Sequence, residues 1–237
     1  MNTILYPAQE RGHANHGWLD SFFSFSFAEY HDPKKVHFGA LRVLNDDSIA
    51  GGGGFGTHPH DNMEIVTIPL EGKLAHKDST GNEGIIRQGD VQIMSAGTGI
   101  RHSEYNASAS DFAKLLQIWV FPKVKNIKPV YGQRTFDVND RKNKWQVVVS
   151  PDSKDQALPI NQDARFSLAK LEDGQVLSYE TKFKGSGVYL FVIEGAVKVG
   201  DQALNKRDAL GISNTERFEI VSTKNADVLA IEIPMLS

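Results

Sequence analysis

Short runs of alternating or β-branched apolar residues, cut at intervals of roughly 8–12 residues by glycine turns, constrain this chain more than any other feature. Glu64 to Leu70 reads EIVTIPL and is followed by the turn Glu71-Gly72. Lys73 to Asp78, Ile85-Ile86 and Val91 to Met94 continue the rhythm, separated by Ser79 to Gly84 and Gly89-Asp90. The tight loop Ser95 to Gly99 feeds Ile100 to Tyr105, and Lys114 to Phe121 ends at Pro122. Upstream, Phe23-Ser24-Phe25-Ser26-Phe27 alternates strictly and predicts one half-buried strand. Phe38 to Leu44 predicts another, closed by Asn45-Asp46-Asp47. Only Ser108 to Leu116 leaves room for a helical turn or two. An all-β antiparallel sandwich or barrel is the expectation.

The rhythm pauses once and then repeats. Residues 123–145 carry Pro129 and several lysines without a clear period, and read as a connector. From Trp145 strands resume through Ile233. The later half echoes the earlier one: IPLEGKLAHKD at Ile68 to Asp78 is matched by FVIEGAVKVGD at Phe191 to Asp201. GDVQIMSAG at Gly89 to Gly97 is matched by RDALGISNT at Arg207 to Thr215. Two similar barrels in tandem follow from the echo. The expected division is residues 1–122, a connector at 123–145, and residues 146–237.

Histidine breaks the symmetry. All eight histidines lie in the first 102 residues. In extended backbone, residues two apart share a face. His58 and His60 in Thr57-His58-Pro59-His60 therefore point one way, as do His102 and Glu104 in Arg101-His102-Ser103-Glu104. If the two faces meet, three imidazoles and a carboxylate converge, a set suited to a borderline divalent metal. The remaining histidines, His13, His16, His31, His37 and His76, read as packing or surface residues. A glycine run just upstream matches G-x-G-x-x-G at Gly51, Gly53 and Gly56, but no helix pattern follows it, so a dinucleotide loop is not expected.

Composition closes several alternatives. The chain has no cysteine, which excludes disulfides and thiolate metal sites. A net charge of −3 gives no reason to expect direct nucleic-acid binding. No apolar run approaches the ~20 residues of a membrane span. The N-terminal MNTILYPAQER lacks the pattern of a signal peptide, so a cytoplasmic location is expected.

The metal-binding runs resemble the cupin pattern. Gly52, five residues, His58-x-His60, three residues, Glu64 and then Gly72 form one half; Gly89, Gly97, His102 and Asn106 form the other. The spacing from Glu64 to Gly72 is one residue longer than the usual form, and that from Gly97 to His102 two longer. Within cupins, the chain closely resembles pirins. The runs that carry this likeness are RGHANHGWLDSFFSFSFAEY, FGALRVLNDD, GFGTHPHDNMEI, LEGKLAHKDS and GDVQIMSAGTGIRHSEYN, covering Arg11 to Asn106 almost continuously.

The resemblance implies a bicupin, with a metal on three histidines and a glutamate in the first barrel and no ligands in the second. Carried over by motif, the ligands are His58, His60, His102 and Glu104, with Glu64 close by. The implied cofactor is one divalent cation. Fe(II) fits the donor set best, with Ni, Co, Mn, Cu or Zn as alternatives. The implied activity is that of a quercetin 2,3-dioxygenase, opening the heterocycle of a flavonol with dioxygen, with Glu104 as base as well as ligand. Phe25, Phe55 and Trp18 are candidates for the walls of an aromatic pocket. Three other readings stand beside this one. The chain can be a non-enzymatic partner of a transcription factor or metabolic enzyme, its metal structural or redox-sensing; it can hold a closed structural zinc. A cupin-type sugar isomerase is the least favoured, because Arg101 points away from His102 by strand parity.

Overall fold

The computed structural model describes residues 1–236. Nineteen β-strands and three short 3-10 turns make up its regular structure. Each strand pair within the sheets is antiparallel. The all-β expectation is met, and none of the described helices is long and apolar enough to cross a membrane.

The first barrel has two walls. One is a seven-stranded sheet in the order β12 (Val130–Thr135), β9 (Asp90–Ser95), β6 (Glu64–Glu71), β11 (Ala113–Val120), β4 (Leu41–Ile49), β3 (Leu19–Phe23) and β2 (Gly12–Asn15). The other has four strands in the order β5 (Gly54–His60), β10 (Ile100–Asn106), β7 (Lys73–Asp78) and β8 (Glu83–Arg87). The second barrel is one eight-stranded sheet. Its main path is β1 (Asn2–Tyr6), β18 (Ala209–Ser213), β16 (Ser186–Val199), β19 (Arg217–Pro234), β14 (Arg165–Leu171) and β13 (Gln146–Val149). β15 (Val176–Glu180) and β17 (Gln202–Asn205) attach to β19 and β16.

Period-two alternation sorts side chains into layers. On β16, Val188, Leu190 and Val192 fill the second barrel, while Tyr189, Phe191 and Ile193 face the first. On β11, Leu116, Ile118 and Val120 meet them from the other side. The broadest apolar cluster thus lies between the barrels, not inside either. The interiors differ. The second holds one continuous apolar cluster, including Val197, Val199, Leu204 and Ile220. The first holds two small ones, around Leu74 and Ile86 and around Met94 and Ile100.

The sequence echo is structural. β6 pairs with β9 as β16 pairs with β18. Asp90 accepts from the Arg87 backbone N–H at 2.9 Å, and Asp208 accepts from that of Asn205 at 2.8 Å. Gly72 and Gly195 both have positive φ, and each has a neighbouring backbone, at Phe112 and Asn225, so close that a Cβ would clash.

Strand pairing crosses the divisions drawn from the sequence in two places. β1 adds to the second barrel, with Asn2 opposite Ser213 and Tyr6 opposite Ala209. β12, within the expected connector, adds to the first barrel opposite β9. Three local expectations change. β3 stops at Phe23; Phe25 turns into the layer between barrels, beside Tyr6 and Tyr189, while Phe27 stays 5.5 Å from Phe23. Asn45-Asp46-Asp47 is not a turn but the middle of β4. Asn45 and Asp47 are buried, and Asp46 on the opposite face receives Arg11 and Arg207 at 3.2 and 2.8 Å, which relieves the cost of its burial. Residues 108–112 form no helix, and β11 begins at Ala113.

Tyr6 packs on Phe25 and Tyr189 at centroid distances of 5.9 and 5.2 Å, joining the exchanged strand to both barrels. Tyr6→Ala is expected to lower unfolding free energy by about 3 kcal/mol. Urea denaturation followed by tryptophan fluorescence measures this, and a loss within error of zero contradicts the packing role.

Candidate metal centre

β5 lies at the edge of its sheet and pairs only with β10. Pro59, which has no backbone N–H, is tolerated on such a strand. The register sets His58 opposite His102 and His60 opposite Ile100. His58, His60 and His102 therefore face one another, with ring centroids 4.4 to 4.9 Å apart. Their nearest ligating nitrogens all lie within 4.8 Å of one another. A second set, His76, His102 and Glu104, meets the same limit and shares His102 with the first.

The second set arises from the regular ladder between β10 and β7, in which His102 stands opposite Asp78 and Glu104 opposite His76. A bulge between His102 and Glu104 shifts the pairing with β5, bringing Glu104 opposite Phe55. His76, His102 and Glu104 are buried. His58 and His60 are partly exposed, so the cluster opens along the β5 edge.

Hydrogen bonds fix the donors and leave specific atoms free. Thr67 Oγ1 donates to Gln117 Oε1 at 3.1 Å, and Gln117 Nε2 donates to Glu104 Oε2 at 2.9 Å. Glu104 Oε1 is buried with no partner, as are both ring nitrogens of His102. His58 Nδ1 lies 2.8 Å from the Gly56 carbonyl. It therefore donates there, and Nε2 keeps its lone pair for the cluster.

Burial dominates the electrostatics of the cluster. Burial, with some help from the neighbouring His58, pushes His60 down to about 4. Burial and the three neighbouring histidines push His102 down to about 3. Both rings are neutral at physiological pH, the form a metal needs. Burial first, and then the nearby Asp47, push Glu104 up to about 7, although Thr67 and Gln117 partly offset this. Asp47 is itself raised to about 7 by burial, against the bond from Ser21. A carboxylate with one unpartnered oxygen, facing neutral imidazoles, fits a divalent cation and is poorly stabilised without one.

Several expected neighbours lie elsewhere. Glu64 faces away from the cluster into the layer between barrels, where Oε2 accepts from Ser95 Oγ at 2.6 Å and the Asn161 N–H at 3.1 Å. Its strand neighbours Ile65 and Thr67 take the inward face, which explains the reversal. Phe25 is also remote from the pocket, as described above. Phe55 does flank the site, 6.3 Å from His58 and edge-on to Trp18 at 5.1 Å. Trp119, 4.9 Å from His60, and Phe27, edge-on to Trp119 at 5.4 Å, were not anticipated. Nor was His76, although alternation with the buried Leu74 in Lys73 to Asp78 places it inward. His13, His16, His31 and His37 are exposed, and Arg101 points outward.

Comparison with known proteins decides the family. A quercetin 2,3-dioxygenase from Escherichia coli (strain K12) is 46% identical over 231 residues, 97% of this chain and 98% of that protein. A pirin-like protein from Caulobacter vibrioides is 41% identical over 95% of this chain and 97% of its own. The Pirin family matches residues 6–120, and the family described as quercetinase C-terminal cupin domain matches residues 147–233. The chain belongs to the pirin family. Its fold is a pirin bicupin. The crystal structure of the bacterial pirin YhhW from Escherichia coli in complex with nickel(II) superposes with a TM-score of 0.93 at 42% identity, covering 99% of this chain and 100% of that one. In this pirin, the second barrel fills the positions matching Leu74 and His76 with Val197 and Val199.

The raised Glu104 carries a sign for stability. Its folded-state value of about 7 lies above its unfolded value, so the folded protein binds the proton more tightly. The metal-free protein is expected to lose roughly 1–3 kcal/mol as pH rises from about 4.5 through 7. Glu104→Gln removes much of that loss, and a divalent cation reverses it in the parent protein. Thermal melts from pH 5 to pH 8, with and without Ni(II), check this; identical pH profiles for the parent and Glu104→Gln contradict it.

Proposed function

We propose that this pirin is a mononuclear non-haem metal-dependent dioxygenase that opens the heterocycle of a flavonol, in the manner of quercetin 2,3-dioxygenases. The observation that carries the reading is the buried, unpartnered Glu104 Oε1 beside the orphaned nitrogens of His102, at the end of an aromatic-flanked opening. The names of the similar proteins support the substrate class. We assign His58, His60, His102 and Glu104 as the ligands of one divalent cation. Fe(II) is the proposed native ion, on the likeness of the set to the two-histidine, one-carboxylate iron oxygenases.

When bound, the ion supplies a Lewis-acidic position for an enolate oxygen and a redox centre for dioxygen. The protein's own part is orientation and proton transfer. Phe55 beside His58, backed by Trp18, and Trp119 beside His60, backed by Phe27, offer faces and edges for a flat polyphenol and limit water access. Glu104 Oε1 takes the proton of the flavonol 3-hydroxyl. Gln117 holds Oε2 meanwhile, so the carboxylate does not rotate away.

Purified Fe(II)-loaded protein incubated aerobically with quercetin is expected to bleach the flavonol absorbance and release carbon monoxide. His58→Ala and Glu104→Gln should each reduce kcat by at least about a hundredfold. One ion per chain with no carbon monoxide at any metal tried would sink the enzyme reading and favour a binding role for this protein.

A further inference from the structure

His76 is the member of the cluster that the ligand assignment does not use. It is a buried histidine whose Nδ1 has no partner, and one of its ring nitrogens lies within 4.8 Å of the ligating atoms of His102 and Glu104. In the matching position of the other barrel, Val199 serves packing alone. A buried imidazole with an unsatisfied nitrogen is costly where a hydrocarbon suffices. Packing therefore does not account for His76.

Its orientation is imposed from behind. Nε2 lies 3.3 Å from Asp78 Oδ2. Asp78 Oδ1 accepts from Thr80 N at 2.8 Å, Thr80 Oγ1 at 2.7 Å and Asn82 N at 3.1 Å, and Oδ2 accepts from Asn82 Nδ2 at 3.0 Å. A carboxylate surrounded by donors is an acceptor on both oxygens, so the proton between Asp78 and His76 sits on Nε2. Nδ1 then carries the lone pair. Tyr131 stacks on the ring at 4.8 Å, and its hydroxyl is turned to Gln133, 2.9 Å away. The lone pair of Nδ1 is thus buried with no protein donor to meet it, in a ring whose centroid lies 5.4 Å from that of His102.

We propose that His76, oriented by Asp78, is a positioning residue of the metal centre, accepting at Nδ1 a hydrogen bond from the exchangeable ligand of the ion on its buried side. The inference rests on the assignment of the four ligands above. The spacing suits the role. A side chain this near to His102 and Glu104, but not one of the four assigned ligands, would reach a group held on the ion and not the ion itself. An acceptor there favours a ligand that still carries its proton, such as water or a phenol before Glu104 takes that proton, and disfavours an anion such as azide that arrives with none.

Two probes, azide and quercetin, separate these outcomes in Co(II)-loaded protein under argon, read by visible absorption with metal content measured in parallel. Asp78→Asn puts an amide donor behind Nε2 and moves the imidazole proton to Nδ1. Azide affinity is then expected to rise about tenfold, and this gain should vanish when His76→Phe is added. His76→Phe alone should keep one ion per chain and weaken quercetin about tenfold. A merely structural role predicts no gain of affinity in any variant. Unchanged or weaker azide binding in Asp78→Asn, with the ion retained, overturns the proposal. So does loss of the ion in His76→Phe, which would make His76 a ligand. A parent protein that binds azide but not quercetin removes the flavonol reading and leaves the azide test of His76 decisive. A parent protein that takes up no ion removes the metal assignment and this inference together.

Discussion

A carboxylate buried with one oxygen unpaired, among imidazoles too desolvated to take a proton, is poorly stabilised in its charged form. That deficit at Glu104 organises the first barrel. Gln117, itself held by Thr67, donates to Oε2 and leaves Oε1 free. His58 is turned by the Gly56 carbonyl so that its other nitrogen faces inward. The polar residues around the cluster divide what would otherwise be one apolar interior into two small clusters. A divalent ion converts each of these costs into an attraction, because the same desolvation that raises Glu104 strengthens its interaction with a cation.

The second barrel shows the same topology without that demand. Its interior is continuous hydrocarbon, with Val197 and Val199 where the first has Leu74 and His76. It supports its neighbour through the apolar layer between them, to which both barrels contribute alternate residues of β11 and β16. The exchanged strand β1 and the paired Arg11 and Arg207 on Asp46 tie the two across that layer. A packed layer behind β6 and β11 keeps Thr67 and Gln117, and so Glu104, from shifting. The site is thus held by a wall that is itself braced from behind.

Much of this was legible in the chain as written. Alternation and glycine turns gave the strands, the echo gave the tandem, and parity gave the shared face of His58 and His60 and that of His102 and Glu104. The errors have physical causes. Asn45-Asp46-Asp47 has turn composition, yet it lies mid-strand because two of its side chains enter a polar interior and the third meets two arginines. Phe25 follows the alternation of its neighbours in sequence but not in space, since the chain leaves the sheet after Phe23. Glu64 fits a cupin spacing but sits on the wrong face of β6. His76 was passed over because a lone histidine in a strand carries no signal until its cross-strand partner is known.

The sequence by itself determined what is local: which segments extend, which residues share a face, and that one barrel has histidines while the other has none. These follow from a two-residue period that every strand obeys. Tertiary structure alone decided which faces meet. Register between strands distant in sequence set His58 against His102 and His76 against Glu104, sent Glu64 away from the centre, and brought Trp119 to His60. Those pairings depend on hydrogen-bond ladders, a bulge and burial between segments far apart in the chain, and no local pattern encodes them.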